Sequence, residues 1–154
     1  MIREYPISQA EFNEIYSKVP RLNVEVIIKT KNGVVLTKRD IEPWKGYWHI
    51  PGGTVFLDET LVDAVKRVAI KELNVNVSVG QLLGYIEYPN IKEQKGLGWP
   101  VGLAFTAEIE SGKLSGSSEG EEVGEFLSLP ANIISEQAEF IVKHKLAGLD
   151  TVED

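Results

Sequence analysis

The chain contains no cysteine in its 154 residues. Disulfides, cysteine-based zinc sites and thiol redox chemistry are therefore excluded, which fits a cytoplasmic setting. It has no run of eighteen apolar residues, so no membrane span is expected. The opening MIREYPISQ lacks the apolar stretch of a signal peptide. Positive charge is also short: the net charge is −7, which disfavours a nucleic acid polymer as partner. A small phosphate ester is not disfavoured, because a local metal and one or two arginines can meet its charge. Histidine is scarce, and His49 and His144 both read as structural or surface residues. The remainder, 43% hydrophobic and 25% charged, is ordinary globular composition. One domain covering 1–154 is expected, with no internal repeat and no linker.

Periodicity gives the order of elements. Ser8-Gln9-Ala10-Glu11 is a capping-box pattern, and Phe12, Ile15, Tyr16 and Val19 follow at helical spacing. A helix over about 8–18 follows, ended by Pro20. Asn23 to Thr30 alternates, with Val24, Val26 and Ile28 on one side and Glu25, Ile27 and Lys29 on the other. Lys31-Asn32-Gly33 is a hairpin turn and Val34 to Lys38 the return strand. Tyr47 to Ile50 is a short strand after a loop holding Pro43 and Trp44. Further strands are expected at Val75–Val79, Leu82–Tyr88, Val101–Glu110 and Glu125–Leu129, with a bulge at Gly80. The polar loop of Ser111 to Gly124 is mobile or functional by composition. A last helix over about 131–147 carries Ile133, Ile134, Ala138, Ile141, Val142 and Leu146 on its apolar face. The tail from Asp150 to Asp154 is expected to fray. Helices and strands in this order imply a mixed sheet with helices against it.

The chemistry concentrates between Pro51 and Val75. Gly52 and Gly53 follow a proline and allow backbone to approach a ligand. Leu61, Ala64, Val65, Val68, Ala69 and Glu72 then share one face of a helix whose N-cap is Asp58 or Thr60. A helix starting beside the glycines can place a carboxylate where Mg²⁺ and a phosphate would sit, since Mg²⁺ takes oxygen ligands and shares them with substrate. The Gly52 carbonyl and the Glu72 carboxylate are the expected metal pair.

The spacing of Gly53, Glu59, Arg67 and Glu72 resembles the Nudix box, over 53–75. The similarity runs from about Phe12 to Leu129, through LTKRD, GYW, PGG and DET. The chain departs from the family pattern at Val68 and Lys71, where two metal carboxylates are expected, and at Asn74, where a glycine is expected. Loss of those acids with the last Glu kept resembles the GDP-mannose mannosyl hydrolase branch. The resemblance implies an α/β/α sandwich with a mixed sheet between helices. It also implies one Mg²⁺, with Mn²⁺ as a substitute, a nucleotide-sugar substrate attacked at sugar C1, and a homodimer.

By the same resemblance Glu59 and Arg67 support the loop and helix, with Gly53 as a structural residue of the box, and Arg67 also joins the catalytic group or touches substrate. Arg39 would hold the leaving diphosphate, and Glu25 would touch the substrate. The branch's late-loop histidine is missing, so Glu121 stands as base and further metal ligand, with Glu119 and Glu122 beside it. Trp99 would stack on a base or sugar. Lys71 either weakens ion binding or stands in for an ion. Two further readings stay open: pyrophosphohydrolysis at phosphorus, and a degenerate domain that binds a nucleotide without cleaving it.

Overall fold

The computed structural model describes residues 4–42, 44–90, 98–117 and 121–147. The first helix, α1 (Gln9–Tyr16), opens with both halves of the capping box: the Ser8 hydroxyl accepts from the Glu11 amide, and the Glu11 carboxylate accepts from the Ser8 amide. It stops two residues before the expected end, at the Ser17 cap. The expected strand of 23–30 is two elements, β1 (Arg21–Ile27) and β2 (Lys29–Thr30). The Lys31–Asn32 turn joins β2 to β3 (Gly33–Lys38), with Gly33 at φ +120, a conformation open to glycine. Next come β4 (Trp48–His49), β5 (Gly52–Thr54), α2 (Leu61–Leu73), β6 (Val75–Glu87), β7 (Pro100–Gly112), β8 (Glu122–Phe126) and α3 (Ser135–Lys143).

Thr60, not Asp58, caps α2: its hydroxyl accepts from the Asp63 amide. The segments expected at 75–79 and 82–88 are one strand, β6. Its register with β7 shifts between Val79 and Leu82, where the Thr106 hydroxyl accepts from the Gln81 amide, and again between Leu82 and Gly84. The last strand lies three residues earlier than the expected 125–129.

The C-terminal helix is shorter than the expected 131–147. Residues before it are held extended: the Trp48 amide donates to Asn132 O, the Ile134 amide donates to Trp48 O, and Trp48 bridges Ile133 in parallel. The later start changes which residues face inward. Val142 is 67% exposed, and Phe140 is buried with Ile141.

One sheet runs β5-β1-β7-β6, with β1 parallel to β7 and the other pairs antiparallel. The second is built on β3, which pairs antiparallel with β2, β4 and β8. Alternation along β1 serves two cores. Val24 and Val26 pack with Ala64, Val65, Val68, Ala69 and Leu73 of α2. Ile27 packs with Phe140 and Ile141 of α3. The mixed sheet is thus flanked by helices, as expected. Each large apolar side chain so buried contributes about 1.5–3 kcal/mol. Glu25 shares the α3 face of β1 with Ile27, so the strand carries a carboxylate into the space between sheet and helix.

Candidate active site

A cleft of about 190 Å³ opens where β1, β5, α2 and α3 converge. Glu25, Arg39, Gly52, Gly53, Glu72 and Glu121 all line it, although they are spread along most of the chain. Gly52 and Gly53 arrive there because β5 pairs antiparallel with β1, in register Glu25 with Gly52 and Val24 with Gly53. Glycine is required at this approach: a Cβ on Gly52 would lie 2.8 Å from Val24 O and 3.3 Å from Glu25 Oε1. Arg39 is set by a short loop in which its amide donates to Tyr47 O and its carbonyl accepts from Gly46.

Glu72 projects from the last turn of α2. Its Oε1 is buried and accepts no hydrogen bond. Its carboxyl is pushed up to about 8, first by burial and then by the Glu121 charge, against a hydrogen bond from the Gly52 backbone and the charges of Lys71 and Arg39. A buried carboxylate oxygen without a donor is costly unless a cation meets it. Glu72, the Gly52 backbone and Glu121 are an all-oxygen set suited to a hard divalent ion, so these residues fit one. Among the described residues no three His, Cys, Asp or Glu side chains form a ready-made metal cluster. Val68 lies in the α2 core at 2% exposure, its methyl against Gly53, while Lys71 is exposed.

Glu59 and Arg67 do meet, although eight residues apart. Glu59 precedes the Thr60 cap, so its side chain folds back along the helix. Arg67 Nε donates to Glu59 Oε2 at 2.7 Å, and Nη2 donates to Glu59 Oε1 at 3.0 Å and Thr54 O at 2.8 Å. Its guanidinium lies 3.7 Å from the Phe56 ring centroid. Glu59 also accepts from the Phe56 amide at 3.0 Å. Arg67 does not line the cleft, and the clamp it makes holds the loop from β5 onto α2. Trp99 does not line the cleft either; it is 45% exposed, and its carbonyl accepts from the Arg21 amide. Glu119 lies outside the described residues, and Glu122 is paired with Lys38 at 3.9 Å on the surface.

The floor of the cleft holds residues that periodicity did not single out. Tyr88 OH donates to Glu25 Oε2 at 2.5 Å. Gln137 Nε2 donates to Glu25 Oε1 at 3.2 Å and to Tyr88 OH at 2.9 Å, and Gln137 Oε1 accepts from the Ile50 amide at 2.6 Å. Burial pushes the Glu25 carboxyl up to about 7, opposed by the Tyr88 hydrogen bond and the Arg21 charge. His49 also lines the cleft. Its Nδ1 donates to Ile50 O at 2.9 Å and its Nε2 accepts from the Thr37 hydroxyl at 3.1 Å. Both ring nitrogens are thus occupied, and burial holds the ring down to about 4, so it is neutral near pH 7. One signal for Gln137 was present in the sequence: a polar residue three after Ile134 and four before Ile141, in the apolar stripe.

The NUDIX domain family model matches residues 19–141. The chain belongs to the Nudix hydrolase family. Its relatives include the low-salt glycan biosynthesis protein Agl8 of Haloferax volcanii, 44% identical over 82 residues, covering 53% of each chain. An ADP-ribose pyrophosphatase of Methanocaldococcus jannaschii is 31% identical over 110 residues, covering 71% of this chain and 63% of that protein. The Nudix chain thus spans between about half and two thirds of the length of these relatives. The MutT Nudix hydrolase of Burkholderia pseudomallei has the same fold, with a TM-score of 0.69 at 24% identity over 79% of this chain and 95% of that one. The glycine strand, the Glu59–Arg67 clamp and the helix carrying Glu72 all lie within the matched residues. Among the described residues, no helix is long and apolar enough to cross a membrane.

Proposed function

We propose that this Nudix protein hydrolyses a nucleoside-diphosphate-linked substrate, a nucleotide sugar of the GDP-mannose type, by attack of water at sugar C1. The reading is carried by α2, which turns one carboxylate, Glu72, into the cleft and buries Val68 in the core. A single helix acid suits stabilising a departing diphosphate better than assembling several ions around an attacked phosphorus. Glu72, Gly52 and Glu121 would hold one Mg²⁺ or Mn²⁺, which when bound supplies Lewis-acid stabilisation of the leaving group. Arg39 binds the diphosphate through its planar guanidinium. Glu121 accepts a proton from the attacking water. Glu25, fixed on the cleft floor, accepts a hydrogen bond from the sugar. Water oxygen forms the new bond to C1, and the C1–O electron pair leaves with the nucleoside diphosphate.

The Agl8 relative, named for glycan biosynthesis, supports a glycosyl substrate. The ADP-ribose pyrophosphatase relative supports the second reading, attack at phosphorus. Turnover of GDP-mannose, other nucleotide sugars and ADP-ribose with Mg²⁺ in ¹⁸O-water separates them. Label in the released sugar is the expected result, and label in phosphate overturns C1 attack in favour of the second reading. Calorimetric binding without products would instead establish a non-cleaving nucleotide binder. A cytoplasmic homodimer belongs to the same proposal, and sedimentation equilibrium reads its assembly state.

A further inference from the structure

We propose that Gln137 of α3 is the positioning residue of the cleft, orienting the Glu25 carboxylate toward the substrate while anchoring the backbone that leads into Gly52. Its role as a substrate-positioning group rests on the hydrolase reading above; its backbone role does not.

Gln137 is 4% exposed, and its amide is engaged at both ends. The side-chain NH₂ donates to Glu25 Oε1 and to Tyr88 OH, while the carbonyl oxygen takes the Ile50 amide. Tyr88 OH in turn donates to Glu25 Oε2. Each carboxylate oxygen thus receives one donor from behind, and the carboxylate remains a component of the cleft wall. An ionised carboxylate only accepts, and each oxygen has capacity for more than one donor. The floor is therefore built to receive a hydroxyl or N–H of a ligand.

The surrounding backbone makes room for that carboxylate. A Cβ on Gly102 of the neighbouring strand β7 would collide with Glu25 Oε2, and one on Gly52 would press on Oε1. The Ile50 contact then links the same amide to the strand entry: Pro51 O accepts from Val26, and Gly52 pairs with Glu25. Gln137 joins the third layer of the sandwich to both the binding wall and the glycine strand. A glutamine fits this position because it offers two donors and one acceptor; a glutamate or a methionine of similar length cannot supply the donors.

Gln137→Met, Gln137→Glu and Tyr88→Phe separate the contacts. Amide exchange by NMR, with no substrate present, reads the backbone role. In Q137M the Ile50 amide loses its acceptor and its protection should fall about tenfold or more. In Q137E an acceptor remains, so after correction for any change in global stability protection should fall less than in Q137M. Steady-state kinetics on the active substrate reads the second role. Q137E and Y88F should each raise KM about tenfold with kcat changed less: Y88F removes a donor to Glu25, and Q137E replaces one with a second carboxyl that repels Glu25 or shares its proton. Cooperative melting of Y88F, which removes one oxygen only, guards against loss of fold. Unchanged KM in both Q137E and Y88F overturns the substrate-positioning role, and unchanged Ile50 protection in Q137M overturns the anchoring role. Absence of turnover by the wild-type protein on the whole substrate panel would refute the hydrolase reading instead, leaving the exchange result to decide the anchor.

Discussion

Glu72 Oε1 shows how a single atom can carry opposite consequences for stability and chemistry. It is buried and accepts no hydrogen bond. Pushed up to about 8, the carboxyl is mostly protonated near pH 7. Replacing Glu72 by Gln keeps the shape and removes the cost of taking up that proton on folding, so without divalent cation the variant should gain about 1–3 kcal/mol. Thermal melts with and without Mg²⁺ check this. The wild type should rise with the ion and E72Q should not, and turnover should fall at least about 100-fold. His49 gives a second prediction at this scale. Its folded-state value, about 4, lies below the ordinary value of 6.5. The unfolded chain therefore binds more protons between these values. The contribution is fully present above pH 6.5 and lost as pH falls toward 4, on the order of 3 kcal/mol. Denaturant melts across that range should show a shallower decline for His49→Gln, whose amide can replace both ring hydrogen bonds without titrating.

At the scale of elements, α2 shows how a departure from the family pattern can preserve a geometry. The expected glycine is Asn74, and it takes φ 59 and ψ 34 as the left-handed C-cap of the helix. Asparagine enters this region more readily than most residues. Its side chain also donates to Ser115 Oγ at 2.9 Å and Gly116 O at 2.9 Å. Asn74 therefore closes the helix and ties down Ser115 and Gly116, and the Glu121 carbonyl lies against Gly116. Asn74→Gly should keep the cap and lose only the side-chain contacts, with stability within about 1 kcal/mol of wild type. Asn74→Ala should cost about 1–2 kcal/mol more, because alanine pays the full left-handed penalty. Urea denaturation of the two variants makes the comparison. The α2 boundaries were readable because cap, apolar stripe and final turn agree. The phase of α3 was not. Its start is set by Trp48 pairing with 132–134, a contact between segments distant in the chain, and local spacing alone put Val142 inward in place of Phe140.

For the molecule as a whole, the sheet order is what sequence pattern left open. Alternation placed Val24 and Glu25 on opposite sides of β1, but the parallel pairing of β1 with β7 depends on long-range register. The same distinction applies to the site. The box spacing brought Gly52, Gly53 and Glu72 together, since one strand, one turn and one helix carry them. The resemblance added Arg39, Glu25 and Glu121, which also reach the cleft. Tyr88 and Gln137 were missed because their use depends on α3 packing against the far face of the sheet. That division into faces makes an energetic prediction. Leu73 is fully buried in the α2 core and Ile141 in the α3 core, and the two clusters share no residue. Leu73→Ala should cost about 2–5 kcal/mol and Ile141→Val about 0.5–1.5 kcal/mol. If the sheet separates the cores as rigid packing requires, the double variant should lose the sum within about 0.5 kcal/mol. A denaturant double-mutant cycle measures this, and coupling well above that margin would mean that strain passes through β1 from one helix to the other. Such coupling would act on Glu25 itself, because the strand that divides the cores also forms the wall of the cleft.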